Sequence, residues 1–124
     1  MEFGKYLKTL RLRKGLIANI FAEKIGLHPT HLSDIEAGRR LPPDDFQTLD
    51  AIAGLLGLST SERHTLFDLA AEKREITPPD LSKYISGNKQ VTMFLRKAEA
   101  QGYRGKDFRE LSKILDERKR RDIT

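Results

Sequence analysis

The chain has 124 residues, of which 38% are hydrophobic and 33% charged, with no cysteine and a formal net charge of +5. This balance suits a soluble globular protein with a modest core and excludes disulfides and thiolate metal sites. No apolar run reaches the length of a membrane span, and MEFGKYLKTLRLRKG lacks the continuous apolar stretch of a secretion signal, so a cytoplasmic protein is expected.

Apolar residues recur at helical rather than alternating spacing, and the whole chain is read as helical. Phe3, Tyr6, Leu7 and Leu10 form an i, i+3, i+4, i+7 stripe on a first helix that closes near Gly15. A second, from about Ile17 to Ile25, stops at Gly26. A third starts at His28, with Pro29 where a missing N–H costs nothing; Leu32 and Ile35 face inward and Gly38 closes it. Leu41-Pro42-Pro43 breaks the chain. Asp44 and Asp45 are then expected in the first turn of a fourth helix, with Phe46, Leu49, Ile52, Ala53 and Leu56 inward and Gly57 at its end. Ser59 and Glu62 have capping-box spacing for a fifth helix, whose inner stripe is Leu66, Phe67, Leu69 and Ala70.

Thr77-Pro78-Pro79 marks the expected boundary, giving a domain over residues 1–75 and a second region over residues 76–124. In the second region Asp80 is expected to cap a short sixth helix holding Leu81, Tyr84 and Ile85. Asn88 opens a seventh with Val91, Phe94, Leu95 and Ala98 on one face and Gly102 as its stop. Phe108, Leu111, Ile114 and Leu115 mark an eighth. These apolar faces must pack within one chain or across a dimer, and a symmetric dimer is a natural place to bury them. Charge is uneven. Residues 1–75 hold 11 Lys+Arg and 11 Asp+Glu, whereas residues 76–124 hold 12 and 7, which is the whole excess of +5. A basic balance favours a polyanionic partner, yet in the first region such contact must come from local placement of charge. The Arg118-Lys119-Arg120-Arg121 run suits the negative end of its helix, with flexible DNA attachment as the second reading.

One stretch carries function. Counting from Ala18, Ala22 is fifth, Ile25 eighth, Gly26 ninth, Leu27 tenth, Leu32 fifteenth and Ile35 eighteenth. That is the helix-turn-helix pattern. The fifth position is small because two helices approach there, and the ninth must accept a tight turn. The tenth, fifteenth and eighteenth bury the second helix's inner face on the first and fourth helices of the chain. Its outer face is left to enter a major groove about 12 Å wide.

On LRLRKG at 10–15, FAEKIGLHPTHLSDIEAGRR at 21–40, Pro42 and LDAIAGLLGLS at 49–59, the sequence resembles the phage-repressor-like (Xre-type) regulators over roughly residues 2–72. The resemblance implies an all-α fold: a five-helix, lambda-repressor-like DNA-binding domain followed by a small C-terminal helical extension. It also implies a transcriptional regulator, usually dimeric on double-stranded DNA. Carried across, the recognition helix is His28 to Glu36, with His28, Thr30, His31, Ser33 and Asp34 outward. Thr30 and Ser33 can bond base edges or phosphates, and Asp34 can accept from a cytosine amine while repelling phosphate. Arg39 and Arg40 look like phosphate contacts, and Arg11, Arg13 and Lys14 are placed to reach the backbone as well. Glu36 is read as an internal polar contact. The chain departs from the family at Ile17 and Ala18, where a hydroxyl residue and a glutamine are usual; Asn19 can take over one of their roles.

Other chemistry finds little support. His28 and His31 are three apart, but no third ligand is near, and cap and surface roles fit them better than a metal. There is no nucleophile motif, no glycine-rich phosphate loop and no HExxH pair, so no enzyme activity and no cofactor are expected. The reading is therefore a homodimeric repressor on a palindromic operator. Two alternatives stand beside it. One is an antitoxin whose residues 76–124 hold a toxin. The other is a protein-interaction module on the same fold.

Overall fold

The computed structural model describes residues 1–123, and Thr124, the last residue of the expected second region, lies outside them. Among the described residues there are eight helices: α1 (Phe3–Arg13), α2 (Ala18–Lys24), α3 (Pro29–Glu36), α4 (Phe46–Leu56), α5 (Thr60–Arg74), α6 (Pro79–Ser86), α7 (Lys89–Ala100) and α8 (Gly105–Ile123). They form two compact units, Met1–Tyr84 and Ile85–Thr124.

In the first unit local signals set the helix ends. Gly15, Gly26, Gly38 and Gly57 take positive φ after α1, α2, α3 and α4. Ser59 and Glu62 form the full reciprocal capping box at the start of α5. Two starts differ from expectation. Asp44 and Asp45 do not enter α4; Asp45 is its N-cap and accepts the Thr48 N–H at 2.9 Å, so the helix begins at Phe46. A carboxylate just before a helix satisfies an orphan donor that one inside the first turn leaves bare. Asp80 likewise lies one residue inside α6, whose first residue is Pro79.

The core gathers Phe3, Leu7, Leu10, Phe21, Ala22, Leu32, Ile35, Leu49, Ile52, Leu66 and Phe67, each at most 3% exposed. Helix α3 packs on α1 and α2, while α5 packs on α1 and α4. Burial of a residue such as Leu32 or Ile35 contributes roughly 1.5–3 kcal/mol. Gly4 sits where α1 passes under the end of α3. A Cβ there would meet the Ile35 carbonyl oxygen and stand 2.9 Å from that of Glu36.

The two compact units meet at the Tyr84–Ile85 bond, within α6 and downstream of the Thr77-Pro78-Pro79 break. Pro79 is buried, and the Lys83 ammonium lies 4.2 Å from the centre of the Phe46 ring. The cation–π contact links α6 to Phe46 of α4, and the first unit holds more than the five expected helices.

The second unit is thinly packed. Ala98 is its one buried hydrophobic among the described residues. Tyr103 meets Phe108 edge to face at 5.9 Å, and Asp107 accepts the Arg104 N–H at the head of α8. The apolar faces foreseen for α7 and α8 are present but largely uncovered: Phe94 is 47%, Leu95 39%, Ile114 56% and Leu115 67% exposed.

Candidate nucleic-acid interface

The site is built on α3. Its inner side is fixed by Leu32 and Ile35, 0% and 1% exposed, and its start by His28, whose Nδ1 accepts the Thr30 N–H at 3.2 Å. Ala22 on α2 is fully buried, as a close crossing of α2 and α3 requires. The opposite side of α3 is open. His28, Thr30 and Ser33 are exposed, and His31 and Asp34 are half-buried. Arg39 and Arg40 follow in the exposed turn after Gly38. Seven of the expected residues therefore share one helix and its exit.

The cations of α1 are placed differently. Arg11 is 6% exposed; its Nε and Nη2 donate to the two carboxylate oxygens of Glu36 at 2.8 and 3.0 Å, and its Nη1 donates to the Leu16 carbonyl at 2.7 Å. The expected phosphate contact at Arg11 is thereby corrected. Three of its N–H donors are engaged inside the protein, and the buried two-pronged pair would have to be broken for the guanidinium to meet a surface anion. The internal role expected of Glu36 is the other half of this pair. Arg13 is exposed but paired with Glu62 of the α5 capping box. The Lys14 Nζ lies over Gly57, 3.3 Å from where a Cβ would stand. Arg13 is thus tied to the first turn of α5, and the Lys14 ammonium lies beside Gly57 at the end of α4. Asn19 is exposed on α2.

Electrostatics distinguish the residues on α3. Burial lowers the pKa of His31, the Arg40 charge lowers it further, and Asp34 opposes both. His31 and Arg40 also border a groove shared with Asp44, Asp45 and Arg74. Arg74 is engaged there, its Nε on the Pro42 carbonyl at 2.7 Å and its Nη1 3.5 Å from Asp44. Asp34 holds Arg39: the Nε and Nη2 atoms of the guanidinium both lie 3.1 Å from Oδ1. Sequence reasoning foresaw neither this pair nor the one at Arg11.

The departure at Ile17 and Ala18 has a structural form. Ile17 stands at the N-cap of α2 with no side-chain bond to the helix and is 65% exposed; Ile20, one turn on, is 46% exposed. The start of α2 therefore presents hydrocarbon and bare backbone N–H groups.

No curated protein matches the chain. Among solved structures, the chain aligns over 98% of its length with 99% of a chain from a SinR protein/SinI protein complex, at 28% identity and a TM-score of 0.45. A sequence model of a family described as a helix-turn-helix domain matches residues 2–66, more than half of the chain. The match spans α1 to α4 and enters α5, and it takes in α2, the Gly26 turn and the half-open α3. The chain belongs to this helix-turn-helix domain family.

Proposed function

We propose that the protein is a sequence-specific DNA-binding transcriptional regulator of the phage-repressor-like (Xre) type, a repressor acting as a homodimer on a palindromic operator. The observation that carries this reading is the asymmetry of α3. Leu32 and Ile35 are buried, while His28, Thr30 and Ser33 stand exposed on a helix braced from behind. Such a helix can enter a major groove and present side chains to base edges. Arg40, exposed and beside the reading face, supplies a phosphate contact. Arg13 and Lys14 contribute to docking by turning away from Glu62 and Gly57, and Asn19, exposed on α2, is open to the DNA backbone.

Homodimerisation is supported by the second unit. Two helices with only Ala98 buried among their described hydrophobic residues do not hold a fold by themselves, and Phe94, Leu95, Ile114 and Leu115 offer apolar surface to a second copy. Two recognition helices would then read half-sites about 34 Å apart. The same exposed faces would serve an antitoxin that holds a toxin, and a tightly co-purifying partner that displaces the second copy would decide for that reading.

Selection of bound sequences from random duplex DNA tests the proposal. A palindromic consensus is expected. Thr30→Ala should cost roughly 1–3 kcal/mol at one base position, and Arg40→Ala should weaken binding to every sequence and flatten the salt slope by about one unit. Failure of the folded protein to retard any duplex at low salt would replace this reading with that of a protein-interaction module, for which the exposed Ile17 and Ile20 would be the first place to look.

A further inference from the structure

Arg39 is bound to Asp34 twice over. Helix α3 ends in a Schellman turn, in which Gly38 at φ +79° lets its own N–H reach the Ile35 carbonyl at 3.1 Å and the Arg39 N–H reach the Asp34 carbonyl at 2.8 Å. This turn folds Arg39 back along the last turn of α3. Its Nε then donates to one oxygen of Asp34, Oδ1, at 3.1 Å, and its Nη2 lies 3.1 Å from the same oxygen. The other oxygen, Oδ2, accepts no hydrogen bond among the described residues. The Asp34 side chain remains 27% exposed and that of Arg39 65%.

We propose that Asp34 is a specificity-determining residue, which withholds Arg39 from the phosphates of non-cognate DNA and releases it where Oδ2 meets a cytosine amino group. The proposal rests on the DNA-binding reading of α3. A carboxylate on a surface that faces a polyanion works against affinity, and here it also neutralises the nearest cation. On an arbitrary sequence a phosphate must take the guanidinium from Asp34, leaving that carboxylate bare among like charges. At a cytosine in register, the N4 amino group supplies a donor to the carboxylate. Arg39 can then turn to a phosphate without stranding its former partner. Non-specific affinity rests on phosphate contacts, so the pair lowers it and widens the gap to the specific site. Discrimination arises from a repulsive element as much as from an attractive one.

The test is binding of the full chain to a short random-sequence duplex across a salt series, for wild type, Asp34→Asn, Asp34→Ala, Arg39→Ala and the two double variants. Either change at Asp34 is expected to strengthen random-duplex binding roughly three- to tenfold at low salt, and to steepen the salt slope by about one unit. Most of the gain should be lost when Arg39 is alanine, leaving only the part that comes from removing the carboxylate's own repulsion of phosphate. In a selection experiment the Asp34→Ala variant should lose a cytosine preference that wild type shows at one position of each half-site. Unchanged or weaker random-duplex binding by the Asp34 variants overturns the proposal, as does a gain that persists in full without Arg39. Wild type binding duplex while the Asp34 variants leave affinity unmoved sinks only this inference. Folded wild type that binds no duplex at low salt sinks the DNA-binding reading and this inference together.

Discussion

Arg11 and Glu36 form a two-pronged ion pair, at 2.8 and 3.0 Å, between the first helix and the last residue of the recognition helix. Both side chains are 8% exposed, and the hydrogen bond to Glu36 raises the Arg11 pKa against the effect of burial. Such a pair fixes the tilt of α3 more than it adds to stability, because desolvation offsets much of the attraction. Removing one partner is another matter. Arg11→Ala or Glu36→Ala should destabilise the fold by about 3–5 kcal/mol, read by urea unfolding. The paired replacement Arg11→Met with Glu36→Leu should recover most of that loss. A single alanine variant that unfolds like wild type would show that the pair does not brace α3.

The same substitution at two helical glycines should act with opposite sign. At Gly4 an added methyl group meets the Ile35 and Glu36 carbonyl oxygens, both backbone atoms that have no room to retreat. At Gly54, in α4, nothing lies within 4 Å of the added carbon. Gly54→Ala should therefore raise stability by about 1 kcal/mol through helix propensity alone. Gly4→Ala should lower it by roughly 1–3 kcal/mol despite the same propensity gain. Thermal melts of the two variants decide the matter, and a rise at both would mean that α1 and α3 do not approach so closely.

His31 gives the site a pH dependence with a definite sign. Its folded pKa lies below the ordinary histidine value, through burial first and Arg40 second, with Asp34 opposing. The unfolded chain therefore takes up the proton first as pH falls. The contribution to stability is complete above about pH 6.5 and lost as pH drops below it towards the folded value. A nearby phosphate acts the other way and favours the imidazolium. Binding to DNA should thus take up a proton, and affinity should rise as pH falls from about 8 to about 5.5. Gel-shift titrations of wild type and His31→Gln test this. An identical pH slope in the variant would remove His31 from the contact surface.

Much of the first unit could be read locally, because its helix ends are set by neighbours in sequence. Gly26, Gly57 and the Ser59–Glu62 box are examples. The buried pair could not be read that way. Arg11 looked like a surface cation, and Glu36 lies 25 positions away. A signal existed, since Arg11 continues the i+4 row of Phe3 and Leu7 and so falls on the buried face. Gly4, next to Phe3 in the same helix, was a sign of close approach that periodicity alone does not register. The Asp34–Arg39 pair depends on the path of a single turn, which the spacing of the two charges does not reveal. For α7 and α8 the apolar stripes were plain, but a stripe tells which face must be covered and not what covers it.

The last prediction concerns that uncovered surface. Phe94 and Leu95 on α7 and Ile114 and Leu115 on α8 are each at least 39% exposed. If a second copy covers them, a charge placed there is stranded in an apolar interface, at a cost of several kcal/mol. Phe94→Glu and Leu115→Glu should each convert a dimer to a monomer in sedimentation equilibrium. Neither should change the melting of the first unit by more than about 0.5 kcal/mol, since exposed positions tolerate charge. Operator affinity should fall steeply, because a monomer places one recognition helix and loses the second half-site, while contact with a single half-site persists at high protein concentration. A chain that sediments as a monomer before any substitution would move the role of these faces from self-association to a different partner.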